Sequence, residues 1–192
     1  DTKEDSCRVQ EHAVHRGIPD EKDCRRLLEW FRTPENTVAH CEAVAALAEE
    51  MGEACNRQGA KLDLALIRSG ALLHDIAKAE PEHAITGARW LSLLGHDRTA
   101  EIVKDHMEFP EEKLGDLTES LIVYLADKMV KGQCRVTVEE RFADKRERFR
   151  ENPDALSGLE RRYGNAKRAE ETVRKAGWTE NAGGQEERGI TG

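Results

Sequence analysis

An imidazole and a carboxylate sit side by side in the apolar run Ala71-Leu72-Leu73-His74-Asp75-Ile76-Ala77, which Lys78 closes. Burying an unpartnered polar group costs roughly 2–7 kcal/mol, and an ionised carboxylate costs more. A fold that buries this run must therefore bring both groups a partner. His and Asp are both ligands of divalent transition metals, so one cation would serve both. A His–Asp hydrogen bond without metal would also satisfy them. The two readings differ in what the rest of the chain must supply, because a metal needs further ligands.

The chain has 192 residues, 35% of them charged and only 5% aromatic. That balance favours one helical domain with tails and a solvated outer surface over a β sandwich. A formal net charge of −8 argues against general nucleic-acid binding, although a local basic pocket is compatible with it. The five cysteines (Cys7, Cys24, Cys41, Cys55 and Cys134) show no CxxC spacing and read as reduced thiols of a cytoplasmic protein. The longest apolar stretch, Leu121 to Ala126, is far too short to span a bilayer, and no signal-peptide pattern opens the chain. Asp1 in first position fits a trimmed start or a piece of a longer protein.

Helix punctuation divides the chain. Residues 1–19 read as a flexible polar segment in which His12 and His15 have no apolar scaffold. A short helix from Asp20 carries Cys24, Leu27, Leu28 and Phe31 on one side. Thr33-Pro34-Glu35 signals the next start, with Thr33 as N-cap and Pro34 in the first turn. Val44, Leu47 and Met51 stripe that helix, with His40 on the same stripe, and Gly59 stops it. Asp63 caps a helix expected to run through His74-Asp75 to near Pro81, which places Lys78 on their face. His83 opens another, where Gly87 and Ala88 leave room for close approach. His96, beside Gly95, reads as a turn residue, and Asp97 as the cap of a helix carrying Ile102, Val103 and His106. Thr118 starts a helix ended by Gly132 in which Asp127 interrupts an apolar run, with Lys128 and Lys131 able to neutralise it. Beyond Gly132, Thr137 caps a helix with Val138, Phe142 and Phe149. Leu156, Leu159, Tyr163, Ala166 and Val173 then recur at near-heptad spacing. These charged helices, residues 133–178, are expected to pack on the domain of residues 20–132 or to form a homodimer with a second copy. Residues 179–192 read as a disordered tail. No strand signal survives, so the expected class is all-α, a bundle of about seven or eight helices.

His40, His74-Asp75, His83, His106 and Asp127 thus fall on successive helices. The chain resembles the HD superfamily of metal-dependent phosphohydrolases over roughly residues 34–132. It has a His on one helix, a His-Asp pair in Leu-Leu-His-Asp-Ile-Ala-Lys, and a distant Asp in Tyr-Leu-Ala-Asp-Lys. His83 and His106 stand where binuclear, HDIG-type members place two further histidines. The resemblance implies two divalent transition-metal ions bridged by Asp75, one also held by His40, His74 and Asp127, the other by His83 and His106. Met107 stands where some members carry a second adjacent His. Mixed His and carboxylate ligation suits Fe, Mn, Ni, Co or Zn better than Mg.

The activity so implied is hydrolysis of a small phosphorylated, nucleotide-like substrate by a metal-activated water, with no covalent Ser or Cys nucleophile in view. Asp75 and Lys78 are the expected catalytic residues, and Lys78 and Lys128 the expected phosphate contacts. Lys78 also suits a plain helix-end cation. A di-iron oxygenase and a non-catalytic metal- or nucleotide-binding regulatory module remain as alternatives.

Overall fold

The computed structural model describes residues 17–180; the expected N-terminal segment, with Cys7, His12 and His15, and most of the C-terminal tail lie outside them. Eight α-helices make up the described residues: α1 (Glu21–Trp30), α2 (Glu35–Arg57), α3 (Leu64–Leu73), α4 (His83–Leu93), α5 (Asp97–Asp105), α6 (Glu119–Lys128), α7 (Val138–Phe149) and α8 (Pro153–Lys175). One short antiparallel ribbon, β1 (Val130–Lys131) and β2 (Cys134–Arg135), joins α6 to α7. The all-α class holds. The ribbon departs from the strand-free expectation because Gly132, at φ +62°, turns the chain back on itself immediately after α6.

Caps explain most boundaries. Asp20, Asp63, Thr118 and Thr137 each accept a hydrogen bond from the backbone N–H three residues on. At Thr137 the Glu140 side chain reciprocates, completing a capping box. Three expected boundaries move. Pro34, not Thr33, is the N-cap of α2, and the Thr33 hydroxyl is spent on the carbonyl of Ile76 at 3.2 Å. His96, not Asp97, caps α5; it is buried, and its Nδ1 meets the carbonyl of Gly17 at 2.7 Å. Most consequentially, α3 stops at Leu73, so His74 is its C-cap and Asp75 lies in the turns beyond it.

The long helix α2 is central. It lays Cys41, Val44, Leu47, Ala48 and Met51 inward against α3 and α6, which supply Ile67, Leu73, Leu121, Ile122 and Leu125, all buried. Helix α5 crosses α3 very closely, at Gly70: a Cβ there would stand 2.6 Å from Cγ2 of Ile102. Gly87 does the same for α4, whose added Cβ would meet Ile76 at 3.0 Å.

The C-terminal helices complete this core. Leu159, Ala166, Ala169 and Val173 of α8 and Trp178 after it are buried in the same cluster, and Thr172 donates to the carbonyl of Leu114 at 2.8 Å. Leu156 and Tyr163 of the near-heptad stripe pack against the same cluster, partly buried. No helix of the described residues is long and apolar enough to cross a membrane.

Candidate metal centre

His74, at φ −58° and ψ −33°, ends α3, and the Ile76 N–H on the Leu73 carbonyl and the Lys78 N–H on the Asp75 carbonyl carry the chain on as turns. The Thr33 hydroxyl on the Ile76 carbonyl and the packing of Ile76 against Gly87 hold this segment. His74 and His106 are built alike. Each is the C-cap of its helix, α3 or α5, and each directs Nδ1 to the carbonyl three residues back, Ala71 at 2.7 Å and Val103 at 2.6 Å. His40, from α2, directs its Nδ1 to the carbonyl of Gly132 in the ribbon turn at 2.8 Å. A ring whose Nδ1–H is given to a carbonyl presents Nε2 as a bare lone pair, the form a metal accepts.

Those Nε2 atoms converge on two carboxylates. Oδ1 of Asp75 lies 3.1 Å from His83 Nε2 and 3.3 Å from His106 Nε2, and Oδ2 lies 3.6 Å from His74 Nε2. Oδ1 of Asp127 lies 3.1 Å from His40 Nε2 and 3.7 Å from His74 Nε2. Ligand atoms of His40, His74 and Asp75 form one group within 4.8 Å of one another, and those of Asp75, His83 and His106 form a second. The six residues expected from the sequence are thus brought together, with Asp75 common to both groups.

Burial pushes His74 down to about 4, against the pull of Asp75 and Asp127, so its imidazole is neutral. Burial alone would raise Asp75, but the facing imidazoles of His106, His83 and His74 and the ion pair with Lys78 outweigh it and hold the carboxyl below its usual range. Burial likewise opposes ionisation of Asp127, and Lys128, His40 and the other imidazoles override it. His40 is raised, first by its hydrogen bond to Asp127. The neutral His74 Nε2 therefore faces ionised oxygens of Asp75 and Asp127. The buried atoms His74 Nε2, His83 Nε2, His106 Nε2 and Asp75 Oδ1 have no hydrogen-bond partner among the described residues. Each such buried, unpartnered atom costs about 1–3 kcal/mol. Divalent cations between them would remove that cost at every atom, so the donor set fits divalent metal.

Each carboxylate gives its second oxygen to a lysine. Lys78 Nζ lies 2.9 Å from Asp75 Oδ2 and Lys128 Nζ 2.7 Å from Asp127 Oδ2. The two lysines differ in what else they do. Lys78 is half-exposed at the rim. Lys128, expected at the phosphate, is buried and also donates to the carbonyl of His106 at 2.9 Å, with Tyr124 beneath its ammonium. It ties α6 to the end of α5. Lys131 neutralises Asp144 instead of Asp127. His74 and His106 form the floor, whereas His40 and His83, at 14% and 17% side-chain exposure, share the opening with Lys78. Sequence reasoning missed the Gly132 carbonyl and the Thr33 hydroxyl as supports, and neither has a local signal.

A helical bundle with paired His/Asp groups sharing the aspartate of a His-Asp dyad defines the class. The HD domain family matches residues 37–131, and the chain belongs to it, a superfamily of metal-dependent hydrolases. It is 33% identical over 123 residues to an uncharacterized protein of Methanocaldococcus jannaschii, an alignment covering 55% of this chain and 73% of that one. It is 29% identical over 140 residues to a tRNA (cytidine(56)-2'-O)-methyltransferase of Thermoplasma volcanium, covering 64% of this chain and 40% of that one. A protein of the same name from Picrophilus torridus is 34% identical over 95 residues, covering 46% and 26%. The chain thus spans less than half the length of either methyltransferase-named relative. No solved structure gives a significant match.

Proposed function

We propose that this chain is a binuclear metal-dependent phosphohydrolase that cleaves a phosphoester or phosphoanhydride in a small, nucleotide-like substrate. The observation that carries the reading is the split of Asp75: Oδ1 faces His83 and His106 while Oδ2 faces His74, so one carboxylate serves two groups of donors. Bound divalent cations supply Lewis acidity, lowering the pKa of water and offsetting phosphoryl charge.

The chain's own residues do the remainder. His40, His74 and Asp127 with Asp75 would hold one ion, and His83 and His106 with Asp75 would hold the other. The carbonyls of Ala71, Val103 and Gly132 fix three of the rings, so little reorganisation is needed on loading. Lys78 reaches from the rim to a phosphoryl oxygen and offsets charge as the leaving group departs. Lys128 acts from behind, keeping Asp127 ionised and aligned. The methyl transfer named for two relatives is assigned no step at this site.

The test is turnover of a phosphoester panel by metal-loaded protein in ¹⁸O-labelled water. Label in the phosphate-bearing product and equal rates with and without oxygen support hydrolysis. Oxygen-dependent turnover would identify the di-iron alternative, and metal binding without any turnover the regulatory module.

A further inference from the structure

Three aromatic rings stack where α1 meets α4. Phe31, the C-cap of α1, lies parallel to the indole of Trp90 on α4, with ring centroids 4.4 Å apart and planes 6° apart. Trp30 adds a third ring, stacked on Phe31 at 6.1 Å and 21°. Phe31 and Trp90 are partly buried, but Trp30 is 69% exposed. An indole carries a large apolar area that folding normally hides, so this exposed ring is a face for a ligand. Two connections tie the column to the metal centre. His83 opens α4 and Trp90 follows seven residues on, within about 20° of two full turns, so both lie on one flank about 10 Å apart along the axis. Burial agrees: His83, Thr86 and Trp90 are each half-buried, beside the core-facing Ala84, Gly87 and Leu91. At the other end, Thr33, two residues after Phe31, holds the carbonyl of Ile76, the residue after Asp75. Arg32 beside Phe31 and Arg89 beside Trp90 are exposed and have no ion pair among the described residues.

We propose that this column is the base-binding platform for a nucleotide substrate, whose nucleobase stacks on the exposed indole of Trp30 while its phosphate lies at the metal centre; this rests on the hydrolase reading above. Every base has a flat π-face, and stacking on Trp30 continues a column that already repeats. The axial separation of His83 and Trp90 is one that a nucleoside phosphate spans, and Arg32 and Arg89 carry charge complementary to it. A protein partner fits less well. Trp30 and Leu93, the latter 80% exposed and three residues after Trp90, fall well short of the roughly 800 Å² per partner of a stable interface. An extended nucleic acid also fits less well, because Glu29, beside Trp30 and likewise without an ion pair among the described residues, would meet its backbone.

The test follows the indole N–H signals of Trp30, Trp90 and Trp178 in the ¹⁵N-labelled full chain, titrated with adenosine 5′-monophosphate and with ribose 5-phosphate, first metal-free and then with Zn. Adenosine 5′-monophosphate should shift the Trp30 signal, leave that of buried Trp178 in place, and bind about tenfold more tightly than ribose 5-phosphate. Trp30→Ala should remove that advantage, Trp30→Phe should keep most of it, and Zn should tighten the nucleotide by engaging its phosphate. Equal binding of the two probes, an advantage that survives Trp30→Ala, Zn without effect on the nucleotide, or a dimer that covers Trp30 and excludes the nucleotide overturns the platform. Trp30-dependent, Zn-tightened nucleotide binding in a protein that hydrolyses no phosphoester when metal-loaded would stand against the hydrolase reading and still support the platform.

Discussion

His106 holds its Nε2 3.3 Å from Oδ1 of Asp75 while its Nδ1 is committed to the carbonyl of Val103. Neither that Nε2 nor that Oδ1 has a hydrogen-bond partner among the described residues, and a cation between the two would satisfy both. The same opposition recurs at His74, and the predictions below rest on it.

Asp75→Asn separates the protein's own use of this carboxylate from the metal's. The ionised group is paired with Lys78 and held below its usual range without metal, so the metal-free variant should be less stable than wild type by about 1–3 kcal/mol. Its melting temperature should no longer rise when Mn or Zn is added, whereas that of wild type should climb with metal concentration. Scanning calorimetry on both proteins reads both halves. A variant whose melting temperature still climbed with metal as the wild type's does would mean that Asp75 is not a ligand.

The pH dependence of loading should trace to His40. Its hydrogen bond with Asp127 raises its pKa above 6.5, so without metal the protonated form contributes stability that is present below that value and is lost as pH rises through the folded pKa. Metal must displace this proton, so affinity at the His40 group should fall as pH drops through that range. His74, pushed down to about 4, adds no such dependence near neutrality. Asp127→Asn should flatten the profile as well as weaken binding. Titrations with pH-indicator dye, counting protons released per ion, measure it.

Much of the site is legible in the sequence because its ligands break the apolar pattern. His40 sits on the α2 stripe, His74-Asp75 and Asp127 interrupt runs of Leu, Ile and Val, and no bland packing accounts for them together. What holds these residues is not legible. The Nδ1 partners are backbone carbonyls, one of them in a ribbon of two-residue strands too short to leave a pattern, and the direction of the Lys128 ammonium depends on where α5 ends. The break of α3 at Leu73 is equally hidden, since Leu72 to Ala77 reads as a continuous helical run and tertiary contacts at Ile76 override it.

Gly70→Ala should report how closely α3 and α5 must approach. The added methyl would meet Ile102 at 2.6 Å, and overpacking of this kind costs about 1–3 kcal/mol. Because α3 ends in His74 and α5 in His106, the variant should also bind metal more weakly. Thermal melts in chelator and with metal separate the two effects.

Lys78→Ala should lower the rate about tenfold or more with unchanged metal content, because the lysine's proposed partner is phosphate and its bond to Asp75 is made at the exposed rim. Lys128→Ala should do the reverse, costing metal at the His40 group first, since it leaves Asp127 buried beside no cation. Paired kinetics and elemental analysis of both variants distinguish a phosphate contact from a support.

The central claim is that Asp75 joins two metal groups, and metal content per protomer tests it most directly. Elemental analysis of protein saturated with Mn, Fe or Zn and then desalted should give two ions for wild type, one for His83→Ala and for His106→Ala, and none for Asp75→Ala. A wild-type value that stays at one under saturating metal, or an Asp75→Ala variant that keeps both ions, would contradict the account.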